Sequence, residues 1–326
     1  MDIAKALLAL TGALALLAAS PASAQGPAQT WWIEKTAGGA YRAPMRPLWR
    51  LADLKKMHAG QDNWSEQIIK DAEQDVTYNS GKPGFKIAPR IKPDTASLFV
   101  VIAGAVAFDI EGQAAPIVGV RGSIVNVPKG TIYSAEVTGA ERALWVEINP
   151  INYITLYPSS GPQPAPRRGG KIVTVWFSHT PGAYKAPNTP HWNLFTAIAA
   201  CERAGLRAAD DHLYANPLIT YPPGDKCNKT PAAAPAPAAP AAFNPKSTFG
   251  HMHAVPAEWW IVQSGGISGK FENTGEFHAV EGDVLYAPPM MWHQMDTEGP
   301  GNNVRLALGG YDLKNLNNTA TPVAVR

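Results

Sequence analysis

Four side chains in the C-terminal part of the chain could hold a metal ion together: His251, His253, Glu258 and His293. Three imidazoles and one carboxylate are donors for Mn, Fe, Ni, Cu or Zn, whereas Ca and Mg prefer shells of oxygen. The spacing makes the set informative. On an extended backbone successive residues point to opposite faces, so His251 and His253 share one face. Glu258 opens a second strand-like run, Glu258-Trp259-Trp260-Ile261-Val262-Gln263, which stops at the Gly265-Gly266 turn. Further on, Gly282-Asp283 reads as a turn, Val284 to Ala287 as a strand and Pro288 as its end, and His293 heads the next strand. Alternation puts Trp260 and Val262 on the side of Glu258, and Met295 on the side of His293. These residues, with Met290, Met291 and Trp292 at the edge, are the expected walls of a substrate pocket. Trp260 is equally the kind of residue that fills a small barrel.

The pattern resembles the cupin superfamily, whose two motifs read GxxxxxHxHxxx(x)ExxxxxxG and GxxxxxPxGxxHxxxN. His251, His253, Glu258 and Gly265 match the first motif, and Pro245 stands where it opens with Gly. Gly282, Pro288 and His293 match the second, with Met290 in place of its turn Gly and Thr297 in place of its closing Asn. The resemblance implies an all-β fold of tandem jelly-roll-like barrels with short helices. It also implies one divalent transition metal on His251, His253, Glu258 and His293.

An internal repeat supports the tandem arrangement. Gly39-Ala40-Tyr41-Arg42-Ala43-Pro44, then Pro47, Trp49 and Leu51, returns 143 residues later as Gly182-Ala183-Tyr184-Lys185-Ala186-Pro187, Pro190, Trp192 and Leu194. At the same offset Thr77-Tyr78 and Gly81 meet Thr220-Tyr221 and Gly224. Residues present in both copies, such as Tyr41 and Tyr184 or Trp49 and Trp192, are expected to be scaffold. A short helix is expected after each Pro: from Pro47 to about His58, and in the second copy with Thr189 as N-cap, Pro190 at the first position and Gly205 at the end. Whether a helix covers Glu66 to Asp75 stays open. Lys171 to Ser178 reads as a strand, and Trp259 should point toward the other barrel.

The first barrel keeps the strands but not the ligands. Leu98 to Gly104 and Val106 to Ile110 read as strands, and Gly122 to Gly130 fits the second motif. Alignment places Arg90 and Lys92 under His251 and His253, Ser97 under Glu258, and Tyr133 under His293. Two cations, a hydroxyl and a phenol do not ligate a divalent ion at neutral pH. The offset grows from 143 to 161, which locates an insertion at the Pro/Ala tract 231–242, a spacer with little to pack. The expected organisation is therefore a signal peptide at 1–24, a first repeat at 25–150, a crossing segment at 151–170 and a metal-binding repeat at 171–326. His179, His191 and His212 lack ligand spacing.

Lys5, the apolar run from Ala6 to Ala19 and Ala22-Ser23-Ala24 have the form of a secretory signal cut after Ala24. The run is too short and too rich in Ala to favour a spanning helix. Periplasmic or secreted protein is expected, in an oxidising compartment, and Cys201 with Cys227 should form a disulfide worth roughly 3 kcal/mol. A net charge of +2 without a basic cluster excludes an electrostatic footprint for nucleic acid or an anionic membrane. The partner is then a small molecule, and a homo-oligomer stays open.

The ligand set resembles that of quercetin dioxygenase-like bicupins. This implies an exported metal-dependent enzyme, foremost an oxygenase on a small organic or aromatic substrate, with Glu258 as its adaptable base. A Mn enzyme like oxalate decarboxylase or oxidase ranks lower, because no Arg lies in the motif stretch. A Lewis-acid lyase or isomerase and a non-catalytic binding protein complete the alternatives.

Overall fold

Runs such as Leu98-Phe99-Val100-Val101-Ile102 and Trp259-Trp260-Ile261-Val262 are apolar on both faces, and such strands must be covered on both sides. The chain meets this demand with two barrels packed back to back. The structure is a computed structural model that describes residues 33–36, 38–165, 170–185, 188–201, 213–221, 225–227, 250–310 and 315–317. Residues 35–326 cluster as one unit. The expected signal peptide, the 231–242 tract, Gly205 and His212 lie outside the described residues.

The first copy contributes β1 (Leu48–Trp49), α1 (Leu51–Met57), β2 (Trp64–Lys70), β3 (Gln74–Gly81), β4 (Lys86–Ile91), β5 (Ser97–Ala103), β6 (Ala105–Ile110), β7 (Ile117–Val120), β8 (Ser123–Val127), β9 (Ile132–Val137) and β10 (Ala143–Pro150). The second contributes β11 (His191–Asn193), α2 (Leu194–Ala199), β12 (Tyr214–Thr220), β13 (His251–Met252), β14 (Glu258–Ser264), β15 (Gly266–Phe271), β16 (Gly275–Val280), β17 (Val284–Ala287), β18 (His293–Glu298), β19 (Asn303–Gly309) and β20 (Leu316–Asn317). Glu66 to Asp75, left open by the sequence, runs from β2 through a turn into β3 and holds no helix.

The first barrel pairs the sheet β11-β8-β5-β10-β3-β2 with the sheet β4-β9-β6-β7. The second pairs β1-β17-β14-β19-β12 with β16-β15-β18-β13-β20. Strand parity sorts the apolar residues into three cores. Phe99, Val101, Phe108 and Tyr133 fill the first barrel, and Trp260, Val262, Ile267 and Phe271 fill the second. Leu98, Val100, Trp259 and Ile261 form the layer between the barrels. Trp259 crosses that layer as its parity requires and donates from Nε1 to Gln74 Oε1 at 2.6 Å.

The repeated segment found in the sequence is an exchanged arm. β1 of the first copy pairs with β17 of the second barrel, Leu48 opposite Leu285. β11 of the second copy pairs with β8 of the first barrel, Trp192 opposite Ile124. Tyr41 donates to the Tyr286 carbonyl at 3.0 Å, and Tyr184 to that of Asn126 at 2.8 Å. At the turn that receives the first arm, Gly282 has φ 87 and a Cβ there would meet Leu51 Cδ2 at 2.4 Å, so only glycine fits.

Two local expectations are corrected. The second-copy helix is capped by Asn193, whose side chain accepts from the Phe195 and Thr196 amides, not by Thr189. His191 to Asn193 is held extended by β8, so the helix starts only after that pairing ends. Lys171 to Ser178 forms no strand, and Trp176 is 91% exposed and Val173 70% exposed. The β-branched composition favours a strand, but among the described residues no sheet edge meets it. Cys201 and Cys227 are bonded, with Cα atoms 4.9 Å apart. No described helix is long and apolar enough to cross a membrane.

Candidate metal centre

The strand register assembles the four donors. β13 and β18 are neighbours, and His251 lies directly opposite His293. Glu258, at the first position of β14, faces them from the other sheet. His253 sits just beyond β13, and its carbonyl accepts from the Met290 amide at 2.7 Å, which ties it to the turn before β18. His251, His253, Glu258 and His293 offer donor atoms that all lie within 4.8 Å of one another. The Glu258 carboxylate oxygen Oε2 lies 2.8 Å from His253 Nε2, 3.0 Å from His293 Nε2 and 3.5 Å from His251 Nε2. The Nε2 atoms of His251 and His293 are 3.1 Å apart.

These residues fit a transition ion. His293 donates from Nδ1 to the Met291 carbonyl at 3.0 Å, which leaves Nε2 as a lone pair. That lone pair points at a carboxylate oxygen and a third donor at close range, and acceptors facing one another need a cation between them. Metal–nitrogen bonds of about 2.1 Å set adjacent donors roughly 3 Å apart, the spacing seen here. Burial pushes the Glu258 carboxyl up, but its close contacts with His251, His253 and His293 overrule it and hold it well below the usual range. Burial pulls His293 down, partly offset by Glu258, which favours the neutral form that a ligand needs. His253 and His293 are sealed, but the His251 side chain is 25% exposed, so the centre is reached from its side.

The residues expected to wall a pocket divide into two groups. Trp260 is buried in the barrel core with its ring centroid 5.2 Å from that of His293, so filling the barrel and walling the centre are one task. Met291 and Trp292 are buried too; Tyr41 Oη lies 3.4 Å from the Met291 sulfur. Met290 and Met295 are half-buried. Met290 takes φ 62, the left-handed conformation of the glycine it replaces. That region costs a residue with a side chain roughly 1 kcal/mol. Met290→Gly is therefore expected to change unfolding free energy by between about 0 and +1 kcal/mol, with metal affinity kept. Denaturant unfolding checks it, and a clear loss of stability would show that the Met290 side chain outweighs its backbone strain.

The first barrel has the same register with other chemistry. Arg90 lies opposite Tyr133, as His251 lies opposite His293. Lys92 is 3% exposed, and its Nζ donates to Ser97 Oγ and Glu147 Oε1, both at 2.7 Å, and to Asn149 Oδ1. An ammonium thus takes the place of the ion, with a carboxylate, an amide and a hydroxyl around it. Protein purified from its own compartment is expected to carry a single ion per chain by elemental analysis; a second equivalent surviving dialysis would contradict this.

Sequence reasoning missed Arg305. It lies on β19 opposite Val262 of β14 and Leu218 of β12, both of which pack in the second barrel. A guanidinium therefore faces the metal barrel. Burial pulls its pKa down, opposed by the charges of Glu258 and Asp296. The signal was present: Arg305 has the parity of Ala307 in an otherwise apolar strand. It lies outside the motif stretch, where no spacing drew attention to it.

No family model matches the chain, and no curated protein does. Solved structures match its fold. The salicylate 1,2-dioxygenase of Pseudaminobacter salicylatoxidans aligns over 81% of this chain and 83% of its own, at TM-score 0.52 and 11% identity. The chain is a bicupin in fold. A variant of that enzyme in complex with gentisate aligns at TM-score 0.51 and 11% identity, over 81% of each chain. A deletion variant of Bacillus subtilis oxalate decarboxylase covers 85% of this chain and 80% of its own, at TM-score 0.47 and 12% identity. At such identity the likeness is one of fold, and the chemistry must be argued from the site.

Proposed function

We propose that this bicupin is an exported metal-dependent enzyme, an oxygenase that acts on a small organic substrate at the His251, His253, Glu258 and His293 centre. The observation that carries this reading is the convergence of those four donors on one point that is closed on the side of His253 and His293 and open beside His251. A bound divalent ion would supply Lewis acidity and, for a redox-active metal, electron transfer to oxygen. The chain supplies the rest. Trp260 and Met295 line the centre with apolar surface that excludes water. Glu258 is the one carboxylate of the donor set; it would offset the ion's charge and, shifted off the ion, would accept a proton from a substrate hydroxyl. The Lys5 to Ala24 pattern and the Cys201–Cys227 bond support export to an oxidising compartment.

The test is elemental analysis of protein from its native compartment, followed by oxygen-uptake assays over phenols and organic acids. Metal-dependent oxygen uptake is the expected result. Carbon dioxide release without uptake would point to decarboxylation, and tight binding without either would make the protein a carrier.

A further inference from the structure

The two barrel interiors balance charge in different ways. In the first, the Lys92 ammonium meets the Glu147 carboxylate at 2.7 Å, and Ser97 and Asn149 also accept from it. There a carboxylate faces the buried ammonium directly. In the second, register places Ala307 and Gly309 where the first barrel has Glu147 and Asn149: Ala307 opposes Trp260 as Glu147 opposes Phe99. No carboxylate is supplied from those positions. Arg305 adds a positive charge, and its buried Nε has no hydrogen-bond partner among the described residues. The carboxylates that feel its charge are Glu258, committed to three imidazoles, and Asp296, which is exposed. With a divalent ion bound, the interior would carry net positive charge. A buried Nε–H beside Val262 and Leu218 without an acceptor costs stability, so a fold that keeps it there leaves room for an anion.

We propose that Arg305 binds the carboxylate of an organic acid whose other end lies at the metal centre. This rests on the enzyme reading above and narrows it to a substrate class. Length is part of the inference. Val262, opposite Arg305, is four residues beyond Glu258, about 13 Å along a strand. An arginine side chain extended toward the centre would close part of that gap. A two-carbon acid does not bridge the remainder, whereas an aromatic acid with an oxygen at its far end does. The planar guanidinium gives paired hydrogen bonds to a carboxylate and none of that charge pairing to the neutral amide of the same shape.

The test uses full-length protein loaded with Mn2+, with 4-hydroxybenzoate and 4-hydroxybenzamide as probes. Affinity is read by calorimetry, and proximity to the ion by paramagnetic broadening of the probe resonances. The native protein is expected to prefer the acid about tenfold, in line with a charge-assisted hydrogen bond, with the acid broadened. Arg305→Gln should bring the two probes to within about threefold at unchanged metal content. Arg305→Met should do the same and leave the melting temperature level or higher, since it removes a buried donor that has no acceptor among the described residues; a merely structural arginine would lower it. The proposal is overturned if the native protein shows no preference, if the preference survives in both variants, or if the acid binds without broadening. An Arg305-dependent preference with no turnover of any acid would sink the oxygenase reading instead and leave the anion site standing.

Discussion

Glu258→Gln is expected to lower turnover by about 10²–10⁴-fold while part of the metal is retained. The amide keeps the shape of the side chain and one oxygen, but it removes the charge that offsets the ion and the only carboxylate in the donor set. His251, His253 and His293 would still converge, so the ion is weakened rather than expelled. His251→Ala behaves differently. It takes away a whole donor on the open side, and metal and activity should fall together. Steady-state kinetics alongside elemental analysis of each variant separates the two effects. Near-native turnover by Glu258→Gln, or by metal-stripped protein, would remove the centre from the mechanism.

In the other barrel, Glu147→Ala is expected to destabilise the protein by about 3 kcal/mol, because it strands the Lys92 ammonium inside the fold. The double replacement Lys92→Met with Glu147→Leu should recover most of that loss, since an apolar pair of similar volume carries no desolvation cost. Denaturant midpoints of the single and double variants give the comparison; equal losses would mean that the charge pairing is not what matters. The pH dependence follows from the same pair. Burial pushes the Glu147 carboxyl up, but the charges of Lys92 and Arg90 and the hydrogen bonds from Lys92 and Asn149 hold it below its ordinary value. A folded-state pKa below the unfolded one means that the contribution is fully present above the ordinary glutamate range. It fades as the pH falls through the folded value. The stability gap between native protein and the double variant should therefore narrow in acid.

The two predictions concern equivalent places in one duplicated architecture, and the sequence distinguishes them without help. Period-two alternation and turn glycines locate the strands that carry His251, Glu258 and His293. The same frame puts Arg90, Lys92, Ser97 and Tyr133 in the other copy, where the register indeed pairs Arg90 with Tyr133. These are local facts, because strand parity fixes a side chain's face from its own neighbours. What the tertiary structure decided is what lies across from each face. The repeated Tyr41 to Leu51 segment is visible in the sequence, but that it crosses to the other barrel depends on β17 offering an edge. Lys171 to Ser178 has a strand's composition and found no edge among the described residues, so pairing, which is non-local, overruled propensity. Thr189 had the chemistry of a cap, yet Asn193 caps the helix because β8 holds the preceding residues extended. The Lys92–Glu147 pair joins residues 55 apart in sequence, and Arg305 meets the metal barrel only because β19 lies between β14 and β12. Donor types and their spacing are written along the chain. The charge that balances them comes from strands brought alongside by folding, and no local pattern records it.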